Sequence, residues 1–277
     1  MSEPNGDRPA EILQRLIRFD TTNPPGDERA CIAWVAALLE SAGLETAEYA
    51  KSKERPNLVA RLPGRGEGPP ILMYGHADVV TTAHQAWTHP PFAGRIVDEY
   101  VWGRGALDMK GGLAMMIAAV LRAVAHGVVP AGDVLLAVLA DEEAGGVCGA
   151  RYLVEDHRDV FAGVRYAIGE FGGFPLRVAG RTFYLIQVGE KQPCWIEATI
   201  TGPAGHGARP MRDGAMAELG RLLLRLNRFR LPIHITPIVR EMIDSMAAAL
   251  PAVKGSVLRR LLNPRWTDRV DVGGRIP

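Results

Sequence analysis

The sequence predicts an α/β fold with a mixed, mostly parallel sheet flanked by helices, followed by a second, smaller α+β domain. Amphipathic segments alternate with short apolar runs along the first part of the chain, as expected for a sheet with helices on its faces. Residues 133–140 are almost continuously apolar, which is typical of a strand covered on both faces. We place the domain boundary between residues 192 and 193, where this alternation changes character.

The first domain begins with two predicted helices, at residues 10–19 and 28–42. Gly43 then takes the usual place of glycine after a helix. Strands are predicted at residues 57–62 and 71–74, on either side of a turn rich in proline and glycine. A parallel sheet of this kind binds ligands at the carboxyl ends of its strands, so the residues directly after each strand are the first candidates for a site.

Helix and strand alternate again later in this domain. A helix is predicted at residues 111–126, a strand at 133–140, a helix at 149–160 and a strand at 165–168. This order is typical of helices that cross over between neighbouring parallel strands.

The second domain, residues 193–277, is predicted to open with a strand at residues 195–201, because polar and apolar side chains alternate there. A helix is predicted at about residues 213–229 and another around residues 239–249. A strand followed by helices is typical of a small α+β domain.

Composition excludes several classes of protein. A formal net charge of +1 gives no basic surface for nucleic acid or for an anionic membrane. Residues 1–10 lack the apolar core of a secretory signal, and residues 112–124 are too short and interrupted to span a bilayer. Cys31, Cys148 and Cys194 are odd in number and widely spaced, which indicates free thiols in a reducing compartment. We therefore expect a cytoplasmic protein.

Acidic and imidazole side chains recur where the predicted strands end. They are His76, Asp78, Asp108, Asp141, Glu142, Glu143 and Glu170. A buried charge is costly unless it is paired or bound to metal, and imidazole and carboxylate groups are ordinary zinc ligands. The sequence therefore predicts a divalent metal site at the carboxyl ends of the strands.

Each of these signals also has a simpler explanation. His76 and Asp78 could be a local pair at a strand end, Asp108 could cap the helix that follows it, and Glu142 with its acidic neighbours could be a surface loop. The glycine-rich turn before Asp108 could suggest a nucleotide, but it lacks the third glycine and the strand of a dinucleotide fingerprint. Four weak signals at successive strand ends favour a functional site.

Glu142 and Glu143 are adjacent, so their side chains diverge and can have different roles. One can bind metal while the other takes a proton from water polarised by that metal. His206 stands among glycines in the second domain, and it is either a turn residue or an accessible donor that faces the substrate.

The ordered set of motifs resembles the M20 family of metallopeptidases, which contains acetylornithine deacetylase, succinyl-diaminopimelate desuccinylase, aminoacylase and glutamate carboxypeptidase. The matching stretches are residues 21–26, 55–60, 75–80, 103–105, 108–112, 141–143 and 205–207. The resemblance implies a zinc-exopeptidase-like catalytic domain and a lid domain through which such proteins form homodimers. It also implies hydrolysis of an amide bond in an N-acyl amino acid or small peptide.

The resemblance implies a role for each candidate residue. Asp108 would bridge two metal ions, usually zinc, for which cobalt can substitute. His76 and Glu170 would complete one metal site, and Glu143 would belong to the other. Glu142 would be the general base, Asp78 the carboxylate that orients the histidine, and His206 a donor that stabilises the developing oxyanion.

The chain departs from the family pattern at one ligand. The second metal site needs a further histidine late in the sequence, and His126, His157 and His234 do not stand in a matching context. From the resemblance we expect the final catalytic segment and part of the lid domain to be absent and the chain to be weakly active or inactive. The alternative is a non-catalytic binding or dimerisation protein that keeps the fold.

Overall fold

The computed structural model describes residues 8–170, 175–190, 194–208, 212–229 and 231–267. The chain divides into two compact units, Met1–Phe171 and Gly172–Pro277. This division falls earlier than the boundary expected at residues 192/193, because residues 175–184 form a hairpin within the second unit.

The described part of the first unit, residues 8–170, contains seven strands. They are β1 (Glu45–Ala50), β2 (Pro56–Leu62), β3 (Ile71–His76), β4 (Arg95–Val97), β5 (Tyr100–Trp102), β6 (Val134–Leu139) and β7 (Tyr166–Ile168). Five of them form one sheet in the order β1-β2-β6-β3-β7, and β4 pairs with β5 as a separate hairpin. The strands β6, β3 and β7 are parallel, while β1-β2 and β2-β6 are antiparallel. The predicted mixed sheet is confirmed, and its parallel half is the half that ends at the candidate ligands.

In the same described part of the chain, four α-helices cover this sheet. They are α1 (Pro9–Ile17), α2 (Arg29–Ser41), α3 (Lys110–Ala125) and α4 (Ala150–Asp156). The first three share one apolar core on one face of the sheet, in which Ile12, Ile32 and Ile117 are fully buried. On the opposite face Leu135 and Leu139 of β6 pack with Leu153 of α4. The predicted helices therefore form close to their expected bounds, because each buries an apolar stripe against the sheet.

The register of the parallel strands brings their carboxyl ends together. His76, the last residue of β3, is paired with Leu139, the last residue of β6. The backbone N–H of Ala77 continues this pairing with a hydrogen bond of 2.8 Å to the carbonyl of Leu139. β7 pairs with β3 as far as Ile168, two residues before Glu170. The chain segments that leave these three strands therefore start at the same edge of the sheet.

The second unit contains a hairpin and four helices among its described residues. They are β8 (Pro175–Val178), β9 (Arg181–Tyr184), α5 (Ala215–Arg228), α6 (Pro237–Ala248), α7 (Ala252–Arg259) and α8 (Pro264–Thr267). The helices predicted near residues 213–229 and 239–249 are confirmed as α5 and α6. The strand predicted at residues 195–201 is wrong, since the structure assigns no strand to residues 194–208.

The reason for that error is visible in the exposure of the segment. Trp195 is 94% exposed and Ile196 is 84% exposed, so the alternating pattern does not bury one face. Three features of the sequence analysis lie wholly or partly outside the described residues. They are the predicted boundary at residues 192/193, the Phe171–Gly173 stretch after Glu170 and the end of the His206 loop at Arg209 and Pro210. Among the described residues no helix is both long enough and apolar enough to cross a membrane.

Gly149, which precedes α4, gives a test of close packing behind the candidate site. A Cβ atom at this position would overlap the carbonyl oxygen of Ala140, at the end of β6. We expect Gly149→Ala to lower the free energy of unfolding by about 1–3 kcal/mol, because the overlap is with backbone that cannot rotate away. Urea unfolding followed by circular dichroism measures the change.

The matched control is Gly220→Ala in α5, where no atom lies within 4 Å of the added Cβ. That variant should gain about 0.5–1 kcal/mol because alanine is the better helix former. Equal effects of the two substitutions would contradict the packing assigned to Gly149.

Candidate metal centre

His76 is the centre of the candidate site and its side chain is buried. Its ring atom Nδ1 lies 2.9 Å from the carbonyl oxygen of Asp78, and a carbonyl can only accept, so Nδ1 carries a proton. The other ring atom, Nε2, faces three carboxylates. It lies 3.1 Å from Oδ1 of Asp108, 3.5 Å from Oε2 of Glu170 and 3.7 Å from Oε2 of Glu142.

Two groups of three potential ligands share this histidine. One group is His76, Asp108 and Glu170, and the other is His76, Glu142 and Glu143, with the ligand atoms of each group within 4.8 Å of one another. The structure thus brings together all four residues predicted as metal ligands, together with the predicted base. Both glutamates of the acidic loop reach the cluster, although their adjacent positions had suggested that they diverge.

Asp78 is fully buried and contacts three residues of the cluster. Its Oδ1 accepts the backbone N–H of Glu142 at 3.1 Å, and its Oδ2 accepts the backbone N–H of Glu143 at 3.0 Å. The side-chain amide of Asn23 donates to Oδ2 at 2.8 Å, and Nδ1 of His76 lies 3.4 Å from Oδ1. Burial by itself raises the pKa of Asp78, but hydrogen bonds from His76 and Asn23 and the charge of His76 lower it overall. Asp78 is therefore an ionised carboxylate that contacts both the ring and the backbone of the acidic loop.

Asp108 follows the glycine-rich turn and does not cap α3. The residue before α3 is Met109, and no side chain caps the helix start. Lys110, the first residue of α3, is fully buried and donates to the carbonyl oxygens of Leu16 at 3.1 Å and Phe19 at 2.8 Å. Burial lowers the pKa of Lys110. These contacts tie the start of α3 to the end of α1, so the backbone beside Asp108 is anchored.

The charged groups of the cluster shift one another's pKa values. Burial by itself lowers the pKa of His76, but the hydrogen bond and charge of Asp78 and the charge of Glu142 raise it to about 9. The pKa of Glu143 and the pKa of Glu170 are both raised, first by burial and then by the nearby charge of Asp108. Carboxylates crowded in this way repel one another, and a dication relieves that repulsion.

The donor set fits a divalent metal. It offers one imidazole nitrogen and four carboxylates, which are ligand types of catalytic zinc sites. The carboxylate of Asp78 lies beside the other ring nitrogen, as is usual for a histidine that binds metal. Glu142, whose side chain is 54% exposed, is open to water, whereas Glu143 is half-buried. The two glutamates therefore differ in access even though both reach the cluster.

The remaining histidines have other surroundings. His206 is exposed in the second unit, where its Nδ1 accepts the backbone N–H of Ala208 at 3.2 Å, and its role stays a prediction. In the described part of the first unit, residues 8–170, His126 hydrogen-bonds the backbone and His157 hydrogen-bonds Tyr152, while His89 packs against an aromatic ring. None of these three belongs to either ligand group.

Sequence reasoning missed the buried ion pairs beside the site. Arg55 binds Oε1 of Glu28 through Nη2 at 2.7 Å and Oδ1 of Asp141 through Nη1 at 2.8 Å. The hydrogen bond to Glu28 and the charges of Glu28, Asp141 and Asp78 raise the pKa of Arg55 against the effect of burial, so its charge is secure. Arg55 lies in the stretch 55–60 that matched the family pattern, and that match was the available signal.

Removal of Arg55 tests these ion pairs. Arg55→Ala leaves the carboxylate of Glu28, which is 0% exposed, and that of Asp141 without their cation. We expect a loss of about 3–5 kcal/mol in the free energy of unfolding, as measured by chemical denaturation, because an unpaired buried charge is costly. Arg151→Ala, which breaks an exposed pair with Glu155, should cost less than about 1 kcal/mol. A small loss at Arg55 would contradict the burial of this network.

Comparison with known sequences places the chain in a family. The sequence profile of peptidase family M20/M25/M40 matches residues 72–244. Succinyl-diaminopimelate desuccinylase of Paracoccus denitrificans (strain Pd 1222) is 34% identical over 211 residues, which cover 74% of this chain and 52% of that protein. The enzyme of the same name from Methylobacterium radiotolerans is 34% identical over 213 residues, 74% of this chain and 51% of that protein. The chain thus spans about half the length of these relatives.

Solved structures agree with this result. Human carnosine dipeptidase 1 is similar with a TM-score of 0.53 and 25% identity over 59% of this chain and 38% of that chain. An M20 family metallo-carboxypeptidase from Sulfolobus solfataricus is similar in fold, with a TM-score of 0.52 and 20% identity over 60% of this chain and 38% of that chain. Because the profile matches more than half of its length, the chain belongs to peptidase family M20/M25/M40.

Proposed function

We propose that the chain is the metal-binding part of a two-zinc hydrolase that cleaves the amide bond of an N-acyl amino acid or small peptide. The observation that supports this most directly is the pair of ligand groups around His76, which gathers residues from three strand ends and from the start of α3. Structural charge networks pair acids with bases, whereas this cluster has more acids than bases.

We assign the ligands as the resemblance implies. Asp108 would lie between two zinc ions, with His76 and Glu170 on one of them and Glu143 on the other; cobalt would be a substitute. When bound, the metal pair supplies Lewis acidity towards the amide carbonyl and lowers the pKa of water. Both ligand groups contain His76, which supports a shared site.

Glu142 is the proposed general base. Its side chain is more than half exposed, lies 3.7 Å from Nε2 of His76 and is therefore open to both water and substrate. The backbone N–H of Glu142 is fixed by Asp78, so the carboxylate is carried by an anchored turn. A base placed in this way takes a proton from water and passes it to the leaving amine.

The substrate class rests on the relatives. The similar proteins are named as a desuccinylase of an acylated diamino acid and as a dipeptidase, both of which act on small molecules. We propose the same class for this chain, with no nucleic acid or membrane partner, a cytoplasmic location, and a homodimer formed through the second unit. His206 in that unit is the proposed donor to the oxyanion.

A second candidate is metal binding without turnover. Within residues 8–170 His76 is the one histidine in either ligand group, so the group with Glu142 and Glu143 relies on carboxylates for its other ligands. Zinc sites usually have more nitrogen or sulfur ligands than this, which favours a weak second site. Zinc stoichiometry together with hydrolysis assays separates the two candidates.

Substitution of Glu142 tests the proposed hydrolysis. Glu142→Gln should reduce the kcat for acylated amino acids or dipeptides by about 100-fold or more, because general base catalysis is lost, while zinc is still bound. Glu155→Gln is the control, since that side chain is 58% exposed and lies on the surface of α4. Unchanged turnover in the Glu142 variant would refute its role, and wild-type protein with zinc but no turnover would favour the second candidate.

Substitution of His76 tests the metal centre. His76→Ala removes the ligand that both groups share, so zinc affinity measured by isothermal titration calorimetry should fall by about 100-fold or more. His126→Ala, outside both groups, should bind zinc as the wild type does. Equal zinc affinity in the His76 variant and the wild type would remove the basis of the proposed function.

A further inference from the structure

We propose that Asp141, held by Arg55 and Asn23, is the positioning residue that fixes the loop carrying Glu142 and Glu143. This inference rests on the proposed function, because it assigns a purpose to the anchoring of that loop. Asp141 is buried and belongs to neither ligand group, so it acts on the site through its neighbours.

Both carboxylate oxygens of Asp141 are occupied. Oδ1 accepts from Nη1 of Arg55 at 2.8 Å and from the amide of Asn23 at 3.2 Å. Oδ2 accepts the backbone N–H of Cys148 at 2.8 Å. The carboxylate therefore closes the segment from residue 141 to residue 148 on itself and ties it to two other parts of the first unit.

The ends of the same segment are held a second time by Asn57. Its Oδ1 accepts the backbone N–H of Ala140 at 3.0 Å, and its Nδ2 donates to the carbonyl oxygen of Cys148 at 2.8 Å. Asn57 thus bridges the residue before the loop and the residue at its far end. A loop clamped at both ends has little freedom to move the glutamates between them.

Asn23 connects this clamp to the site. Its side-chain nitrogen lies 3.2 Å from Oδ1 of Asp141 and 2.8 Å from Oδ2 of Asp78. Asp78 in turn accepts the backbone N–H groups of Glu142 and Glu143. The side chain of Asn23 therefore links the carboxylate of Asp141 to that of Asp78, which binds the backbone of both glutamates.

The turn at residues 22–26 is shaped to admit Arg55. Gly26 has a φ of +80°, and a Cβ atom there would overlap the guanidinium group of Arg55. The N–H of Gly26 closes the turn with a bond of 2.9 Å to the carbonyl oxygen of Thr22. The motifs at residues 21–26 and 55–60 thus both place side chains against the loop. These side chains are Asn23, Arg55 and Asn57.

Asparagine cannot replace Asp141 in this arrangement. It tolerates the left-handed backbone found here, where φ is 68°, so the fold of the turn is retained. Its side chain has one acceptor oxygen, however, and cannot accept from Arg55 and from the N–H of Cys148 on opposite sides. Asp141→Asn therefore breaks one clamp without removing side-chain volume.

Asp133 provides a matched control at the other end of β6. Its carboxylate also binds one arginine, Arg61, and one backbone N–H, that of Gly64 at 2.8 Å. It lies far along the strand from the ligand groups, which follow the carboxyl end of β6. Asp133→Asn thus repeats the same chemical change with the same kinds of partner but away from the site.

The test compares Asp141→Asn, Asp133→Asn and the wild type in the full chain. The readouts are the backbone amide resonances of Glu142 and Glu143, the visible spectrum and affinity of bound Co²⁺, and kcat and KM for amide hydrolysis. In Asp141→Asn we expect shifted Glu142 and Glu143 amides, an altered Co²⁺ spectrum, and a fall of about 10- to 100-fold in Co²⁺ affinity or kcat with KM unchanged. Asp133→Asn should match the wild type in all of these.

The proposal is overturned if Asp141→Asn keeps the wild-type amide resonances, Co²⁺ spectrum and kcat and loses only stability. Should that variant fail to fold, Asn23→Ala replaces it, because it removes the bridge to Asp78 without a change of charge, and the same shifts are expected. If the wild type does not hydrolyse amides, the proposed function fails, and the amide resonances and Co²⁺ spectrum still decide the positioning role.

Discussion

The candidate site depends on one buried carboxylate, that of Asp78, and on the donors that satisfy it. A buried carboxylate without partners would lower the stability of the fold by several kcal/mol. The folded state is therefore favoured only when the donors are in place. Those donors come from Asn23 after α1, from His76 at the end of β3 and from the backbone of the loop after β6. The hydrogen bonds to the one carboxylate of Asp78 therefore hold three separate chain segments in the geometry that the ligand groups need.

The sheet makes this convergence possible. Because β6, β3 and β7 run parallel and His76 is paired with Leu139, the chain leaves all three strands at one edge. Side chains within parallel strands are buried against helices, so the segments after the strands are where charged groups can gather. The polar centre is thus placed by the same packing that forms the apolar core, and the anchored start of α3 adds Asp108 from a fourth direction.

Much of this could be predicted from the sequence. The strand ends identified His76, Glu142, Glu143 and Glu170, because apolar runs of strand length are visible in a single sequence. The strand β1 was missed because Glu45–Ala50 is polar and its side chains are not buried, and β4 and β5 are too short to show a pattern.

The ion-pair network around Arg55 could not be predicted from the sequence, for a different reason. Glu28, Arg55 and Asp141 each stand beside the start or end of an element, where charged residues usually cap helices or face solvent. Only the tertiary structure shows that they are buried together. The strand predicted at residues 195–201 failed in the opposite way, since alternation indicates a half-buried strand only where a partner strand is available.

The proposed metal ligands and the proposed oxyanion donor lie in different units. All ligands of the candidate centre and all residues that position them lie in the first unit, whereas His206 lies in the second. The proposed metal binding therefore rests on residues of the first unit alone, and we propose that Asp78, Asp141 and their donors position them. Turnover additionally needs a group that stabilises the oxyanion, and none of the ligand or positioning residues in residues 8–170 is assigned that task. Slow hydrolysis with both proposed zinc ions firmly bound would thus point to His206 as the limiting residue, whereas loss of the second zinc would not.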